Sequence, residues 1–297
     1  MTTALSKLGI VTREHGRIEQ RVPCPQCDHG PKDDALGVNI ETGAFHCFRC
    51  GWKGRTCNLQ SGEVTPRVAR IDDPAVVQRK RERLRQTWRG SVPLSHHSSR
   101  AVRTYLESRA LGEVLKRPPV VLRAHPALTY WDGTRELGAY PAMIALLHGA
   151  SGQAVTLHVT YLRIDGNAKA AVPSPKKILG VPVPGATRGG AIHLYEPRAG
   201  LVGIAEGVET ALSLHLLQKI PVWASYCADN LVRVQLPRDL RELQIGVDID
   251  ESGKGEQAAR ELAGRVMKWN RQIKVWIVKP ELEGPGDLND ELRRRVC

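Results

Sequence analysis

The rhythm of apolar and polar positions changes twice along the chain. In the first 60 residues the apolar stretches are short, at 36–40 and 44–46, and flank Thr42-Gly43 as the strands of a hairpin would. Residues 73–88 favour a helix, with Asp72-Asp73-Pro74 as its start signal. Residues 100–111 read as a short amphipathic helix with Val102, Tyr105 and Leu106 on one face. Strand-like runs follow at 142–147, 155–164 and 191–195, separated by Gly, Pro and Asp turns. In the second run Val155, Leu157, Val159 and Tyr161 alternate with Thr156, His158, Thr160 and Leu162, the pattern of a half-buried strand.

From residue 200 strands alternate with helices. Strands are predicted at 201–205, 222–225, 243–247 and 273–278, and helices at 207–218 and 255–269. Such alternation implies a parallel sheet. The chain is therefore expected to be α+β and multidomain: a β-rich module at 1–60, a helical linker at 61–92, a mixed α/β region at 93–199 and an α/β unit at 200–297. A length of 297 residues accommodates about two domains, and 41% hydrophobic with 5% aromatic residues suits a soluble protein with aliphatic cores. No apolar run reaches the roughly 18 residues of a membrane span, and no signal-peptide pattern opens the chain, so the expected setting is cytoplasmic, without membrane.

Charge sharpens this division. The net charge is +12, and residues 66–123 alone carry 14 Lys/Arg against 5 Asp/Glu. A basic concentration of this kind suits a phosphate backbone, and a run such as Arg79-Lys80-Arg81-Glu82-Arg83 equally suits a solvated helix face.

Four of the seven cysteines form two C-x-x-C pairs, Cys24/Cys27 and Cys47/Cys50, with 19 residues between them. Each pair offers two thiolates on a tight knuckle, and two knuckles supply the four soft ligands of a tetrahedral Zn²⁺ site. His29 and His46 could substitute for a cysteine, but two intact pairs make that unnecessary. Cys57, Cys227 and Cys297 show no pairing pattern. Around the second knuckle lie Phe45, Phe48, Arg49, Trp52 and Lys53, a mixture that suits base stacking and phosphate contact on single strands, or packing of a small core.

Three acidic elements occupy the C-terminal unit. Glu206 follows the strand at 201–205, Asp248-Ile249-Asp250 follows that at 243–247, and Asp287 follows the last strand across a Gly/Pro loop. All three are expected at the carboxyl edge of one sheet, where open α/β folds bind ligands. Together they could hold Mg²⁺ or Mn²⁺ against substrate phosphates. Glu209 and Glu251 read as solvated charges at helix starts. Residues 246–255 fail the Walker A pattern, because Gly255 stands where Ser or Thr is needed, and no ATP-driven motor is expected.

These motifs resemble the Toprim-type DNA primases, in particular the phage and plasmid branch that is often fused to a helicase. Cys24, Cys27, Cys47 and Cys50 are similar to the primase zinc ribbon. Glu206-Gly207 with Thr210-Ala211-Leu212, and Asp248-x-Asp250, are similar to the two Toprim signatures. Pro175-Lys176-Lys177-Ile178-Leu179-Gly180 resembles a basic motif upstream of that unit, and Tyr105-Leu106, Ser108-Arg109 and Tyr140-Pro141-Ala142-Met143 resemble the middle region. Cellular replicative primases carry an acid where Thr210 stands here, a departure from their pattern. The resemblance implies Glu206 as general base or metal ligand, Asp248 and Asp250 as metal ligands, and Asp287 as an outer metal or nucleotide contact. It implies that Lys176 and Lys177 grip phosphate, and that Lys254 either neutralises triphosphate charge or is solvated. It also implies single-stranded DNA template and ribonucleoside triphosphates as substrates, with any replicative helicase supplied by another chain. Two rival readings share these motifs: a Toprim nuclease or strand cleaver, and a non-catalytic zinc-ribbon binder of single-stranded DNA.

Overall fold

The computed structural model describes residues 5–12, 19–27, 35–48, 52–55, 73–249 and 253–296. They fall into two units, Met1–Ile71 and Asp72–Cys297. In the first, strands β1 (Glu19–Val22), β2 (Leu36–Asn39), β3 (Ala44–Cys47) and β4 (Lys53–Arg55) form an antiparallel sheet in sequence order. Alternation puts Val22, Leu36, Val38, Phe45 and Cys47 on one face, where Leu5 and Ile10 complete a small core. The β2–β3 turn places Gly43 at φ +64°, a conformation that costs glycine no Cβ clash, and Asn39 Oδ1 accepts from the amides of Glu41 and Thr42.

The second unit opens with α1 (Pro74–Arg89), capped by Asp73, whose side chain accepts from the Ala75 amide at 2.9 Å. Leu84 and Trp88 rest this helix on a neighbouring core, while Arg79, Arg81, Arg83, Arg85 and Arg89 stay exposed. A five-stranded antiparallel sheet follows, in the order β5 (Val92–Pro93), β6 (Leu122–Asp132), β7 (Arg135–His148), β8 (Ala154–Tyr161) and β9 (Lys176–Ile178). Helix α2 (Arg100–Ser108) buries Val102, Tyr105 and Leu106, as its periodicity predicts. Strand β8 departs from the half-buried pattern expected of it. Thr156, His158 and Thr160 are buried as well as Leu157, Val159 and Tyr161, because both faces of the strand are covered.

The second sheet has the order β10 (Ile192–His193), β12 (Val222–Ala224), β11 (Leu201–Ala205), β13 (Glu242–Gly246) and β14 (Lys274–Val278). All neighbours are parallel except the edge strand β10. Helix α3 (Val208–Gln218) packs on one face beside α6 (Leu288–Val296), and α4 (Ala228–Leu231) with α5 (Lys254–Trp269) on the other. Gly203 in β11 lets α3 approach closely, since a Cβ there would lie 2.9 Å from Leu214 Cδ2. Helix α3 is buried from Val208 to Leu214 without a break, so it has no solvated face in its first two turns. No helix among the described residues is long and apolar enough to cross a membrane.

Candidate metal and phosphate site

The parallel sheet delivers its chemistry at its carboxyl edge. Glu206 follows the last residue of β11, and Gly207 turns the chain into α3. Asp248 lies two residues past β13. The next residue, Ile249, exchanges two backbone hydrogen bonds with Gly286, at 2.8 and 2.9 Å, which pins the loop bearing Asp287 beside Asp248. Glu206, Asp248 and Asp287 thus line one cavity of about 160 Å³. A larger depression, about 330 Å³, lies at Leu282, Asp290 and Arg293, but it is open and carries a single acid.

The opposite wall is basic. Lys176 on β9, Lys169 in the loop before it and Arg109 after α2 line the same cavity. Between the walls sits Glu209, expected on the surface and found 6% exposed. Lys176 Nζ lies 3.0 Å from its Oε2 and Lys169 Nζ 3.7 Å from its Oε1, and the Tyr105 hydroxyl donates to Oε1 at 2.8 Å. The expectation fails because α3 lies between the sheet and the layer containing α2, so its first turn never reaches solvent. The largely apolar run Ala211–Leu217, interrupted only by Ser213 and His215, is the sequence signal of such a helix.

Burial alone would raise the Glu209 carboxyl, but Lys176 and Lys169, helped by Tyr105, hold it down at about 2. Lys169 is pulled below its usual range by burial, and Lys176 adds to this against the attraction of Glu209. His158, buried behind the lysines, is lowered to about 4 by burial and stays neutral near pH 7. Asp248 moves the other way. Burial, then the charges of Asp287 and Glu206, push it up to about 7, and its Oδ1 is buried with no hydrogen-bond partner among the described residues. Grouped acids with an orphaned buried oxygen suit a hard divalent cation, which would supply the missing positive charge.

Asp287 has a second task. Its Oδ1 accepts from the amides of Asn289 at 2.7 Å and Asp290 at 2.9 Å, capping α6. Of the paired lysines, only Lys176 reaches the cavity. Strand alternation turns Lys177 away, so that its ammonium donates to the Trp131 carbonyl and sits 3.8 Å from the centre of the Tyr130 ring. Lys254 begins α5 and is exposed. Tyr226, which sequence reasoning passed over, also lines the cavity, with its backbone at φ +59° and its hydroxyl donating to the Thr187 carbonyl at 2.9 Å. Asp250 and Glu251 lie outside the described residues.

In the first unit the sulfurs of Cys24, Cys27 and Cys47 all lie within 4.8 Å of one another, with Cys27 Sγ and Cys47 Sγ 3.7 Å apart. Tetrahedral zinc with Zn–S bonds of about 2.3 Å separates its sulfurs by about 3.8 Å, so this set fits the metal. Arg49 and Cys50 lie outside the described residues, as does His29. Trp52 packs tilted against Phe45, with ring centres 4.5 Å apart, and rests partly buried against the core. Phe48 is 63% exposed under the Arg21 guanidinium, and Lys53 is exposed on β4.

Residues 201–296 match the family model of the Toprim domain, and residues 78–189 match a family described as Domain of unknown function (DUF7146). The C-terminal segment is thus a Toprim domain with a mostly parallel sheet. Among solved structures, the chain is similar to the primase fragment of the bacteriophage T7 primase-helicase protein. That likeness has 15% identity, covers 94% of this chain and 99% of that one, and has a TM-score of 0.40. The zinc-binding and RNA polymerase domains of Aquifex aeolicus primase align at 14% identity over 99% of this chain and 80% of that one, TM-score 0.40. The E. coli primase catalytic core aligns at 15% identity over 74% and 75%, TM-score 0.42. No curated protein matches the chain.

Proposed function

We propose that this chain, whose C-terminal segment is a Toprim domain, is a DNA primase that joins ribonucleotides on a single-stranded DNA template. The observation that carries the reading is a two-walled cavity, with Glu206, Asp248 and Asp287 facing Lys169, Lys176 and Arg109. An acid wall opposite a basic wall is complementary to a metal-bound triphosphate. In the proposed reaction the 3′-hydroxyl oxygen of one nucleotide bonds to the α-phosphorus of the next. The bond to the bridging oxygen breaks, pyrophosphate leaves and the hydroxyl loses its proton.

Glu206, Asp248 and Asp287, with Asp250 added from the sequence, would hold Mg²⁺ or Mn²⁺. When bound, such ions ease deprotonation of the attacking hydroxyl and offset charge on the leaving pyrophosphate. Glu206 serves as ligand or proton acceptor. Lys176, Lys169 and Arg109 take the triphosphate charge, and Tyr226 closes the cavity beside them. Cys24, Cys27 and Cys47, joined by Cys50, would hold Zn²⁺, leaving Arg21, Phe48 and Lys53 for the template. Lys177 has a packing role instead.

A Toprim nuclease would share the acid wall, so the test must separate synthesis from cleavage. Labelled ribonucleotides should be incorporated on single-stranded DNA with Mg²⁺ or Mn²⁺, and Asp248→Ala should abolish incorporation while leaving the circular dichroism spectrum intact. Cleavage of DNA without incorporation would overturn the primase reading. DNA binding with neither activity would favour the non-catalytic one.

A further inference from the structure

Two lysines converge on one buried carboxylate in the cavity that the acids line. Lys176 and Lys169 pair with Glu209, while Asp248 Oδ1 has no hydrogen-bond partner among the described residues. The lysines have a short alternative path. Lys176 Nζ lies 3.9 Å from the point a Cβ on Gly207 would occupy, immediately beside Glu206, and its charge is already felt at Asp248. Opposite charges this close in a partly buried site attract strongly unless one of them is already committed.

We propose that Glu209 is a positioning residue that holds Lys176 and Lys169 off Glu206 and Asp248, so that the lysines do not compete with a divalent cation for those acids. This rests on the reading that the acid wall binds a metal ion. Three features fit Glu209 to the task. It is buried, so its attraction for the lysines is weakly screened. It bridges them, with one oxygen toward each ammonium. It is anchored independently of them, by the Tyr105 hydroxyl on α2 and by its place in the first turn of α3. Without the carboxylate, two like charges would face an acid wall with nothing to hold them back. Lys176 would then fall onto the acids and compete with the metal from inside the protein.

The test is Mn²⁺ binding followed by electron paramagnetic resonance, a readout independent of catalysis. Glu209→Gln should weaken Mn²⁺ binding on the order of 10–100-fold, the range seen when groups supporting metal ligands are lost. Adding Lys176→Met to that variant should restore most of the affinity, because the competing ammonium is gone. A purely structural role predicts the opposite, with the double variant at least as impaired as the single one. Wild-type affinity in Glu209→Gln, or no recovery in the double variant, overturns the proposal and leaves the metal reading standing. Failure of the wild-type protein to bind Mn²⁺ overturns both. If Glu209→Gln alone does not fold, the proposal requires the double variant to fold and bind Mn²⁺, and failure of both variants to fold overturns it.

Discussion

Asp248 and Glu209 share a cavity, yet their surroundings drive their ionisation in opposite directions, and each direction has a consequence for stability. The Asp248 carboxyl stands at about 7 in the folded chain because of burial, Asp287 and Glu206, against about 3.9 when unfolded. Between those values the folded state binds the extra proton. The metal-free protein should therefore lose stability as pH rises from about 4 to about 7 on account of this group. Thermal melts in EDTA should show that fall, Asp248→Asn should flatten it, and added Mn²⁺ should remove it. Glu209, held at about 2, works in reverse: its contribution is present above its usual carboxylate range and is lost as pH falls toward 2. Neither shift was legible from the sequence. Asp248 and Glu206 could be placed at strand ends, but the orphaned oxygen and the lysines on Glu209 come from elements 33 to 40 residues away, or, for Tyr105, 104.

At the scale of elements, Asp287 connects α6 to the acid wall, and the two tasks can be separated. Asp287→Asn keeps an oxygen for the Asn289 and Asp290 amides, so urea unfolding should be nearly unchanged while Mn²⁺ affinity falls. Asp287→Ala loses both the cap and the charge, and should cost about 0.5–2 kcal/mol of stability in addition. The strands β11, β13 and β14 were readable because each is a short apolar run between turn signals, too brief for a helix and too apolar for a loop. Strand β6 was not, since Pro126 and the register shift between His125 and Leu128 break its alternation. Strand β8 was found but its second face misjudged, because a period of two distinguishes the faces without saying what covers them.

For the whole molecule, the decisive feature of the first unit is the small core of its described residues, nine buried side chains that include two of the cysteines. A core of that size is expected to need its metal. Metal analysis should find about one zinc per chain. Stripping it should open Arg21, Lys53 and Arg55 to trypsin, whereas resistance to trypsin without zinc would contradict the assignment. The sequence by itself determined the cysteine knuckles, the alternation that builds a parallel sheet and the acids at its carboxyl edge. Each of these is set by spacing along the chain, through ligand reach, strand period and the turn at a strand's end. Tertiary structure alone decided which lysine faces the acids, that Glu209 is buried between two cations, and that Asp287 caps a helix while lining the site. Those outcomes depend on which distant elements pack together, and local periodicity carries no record of its partners.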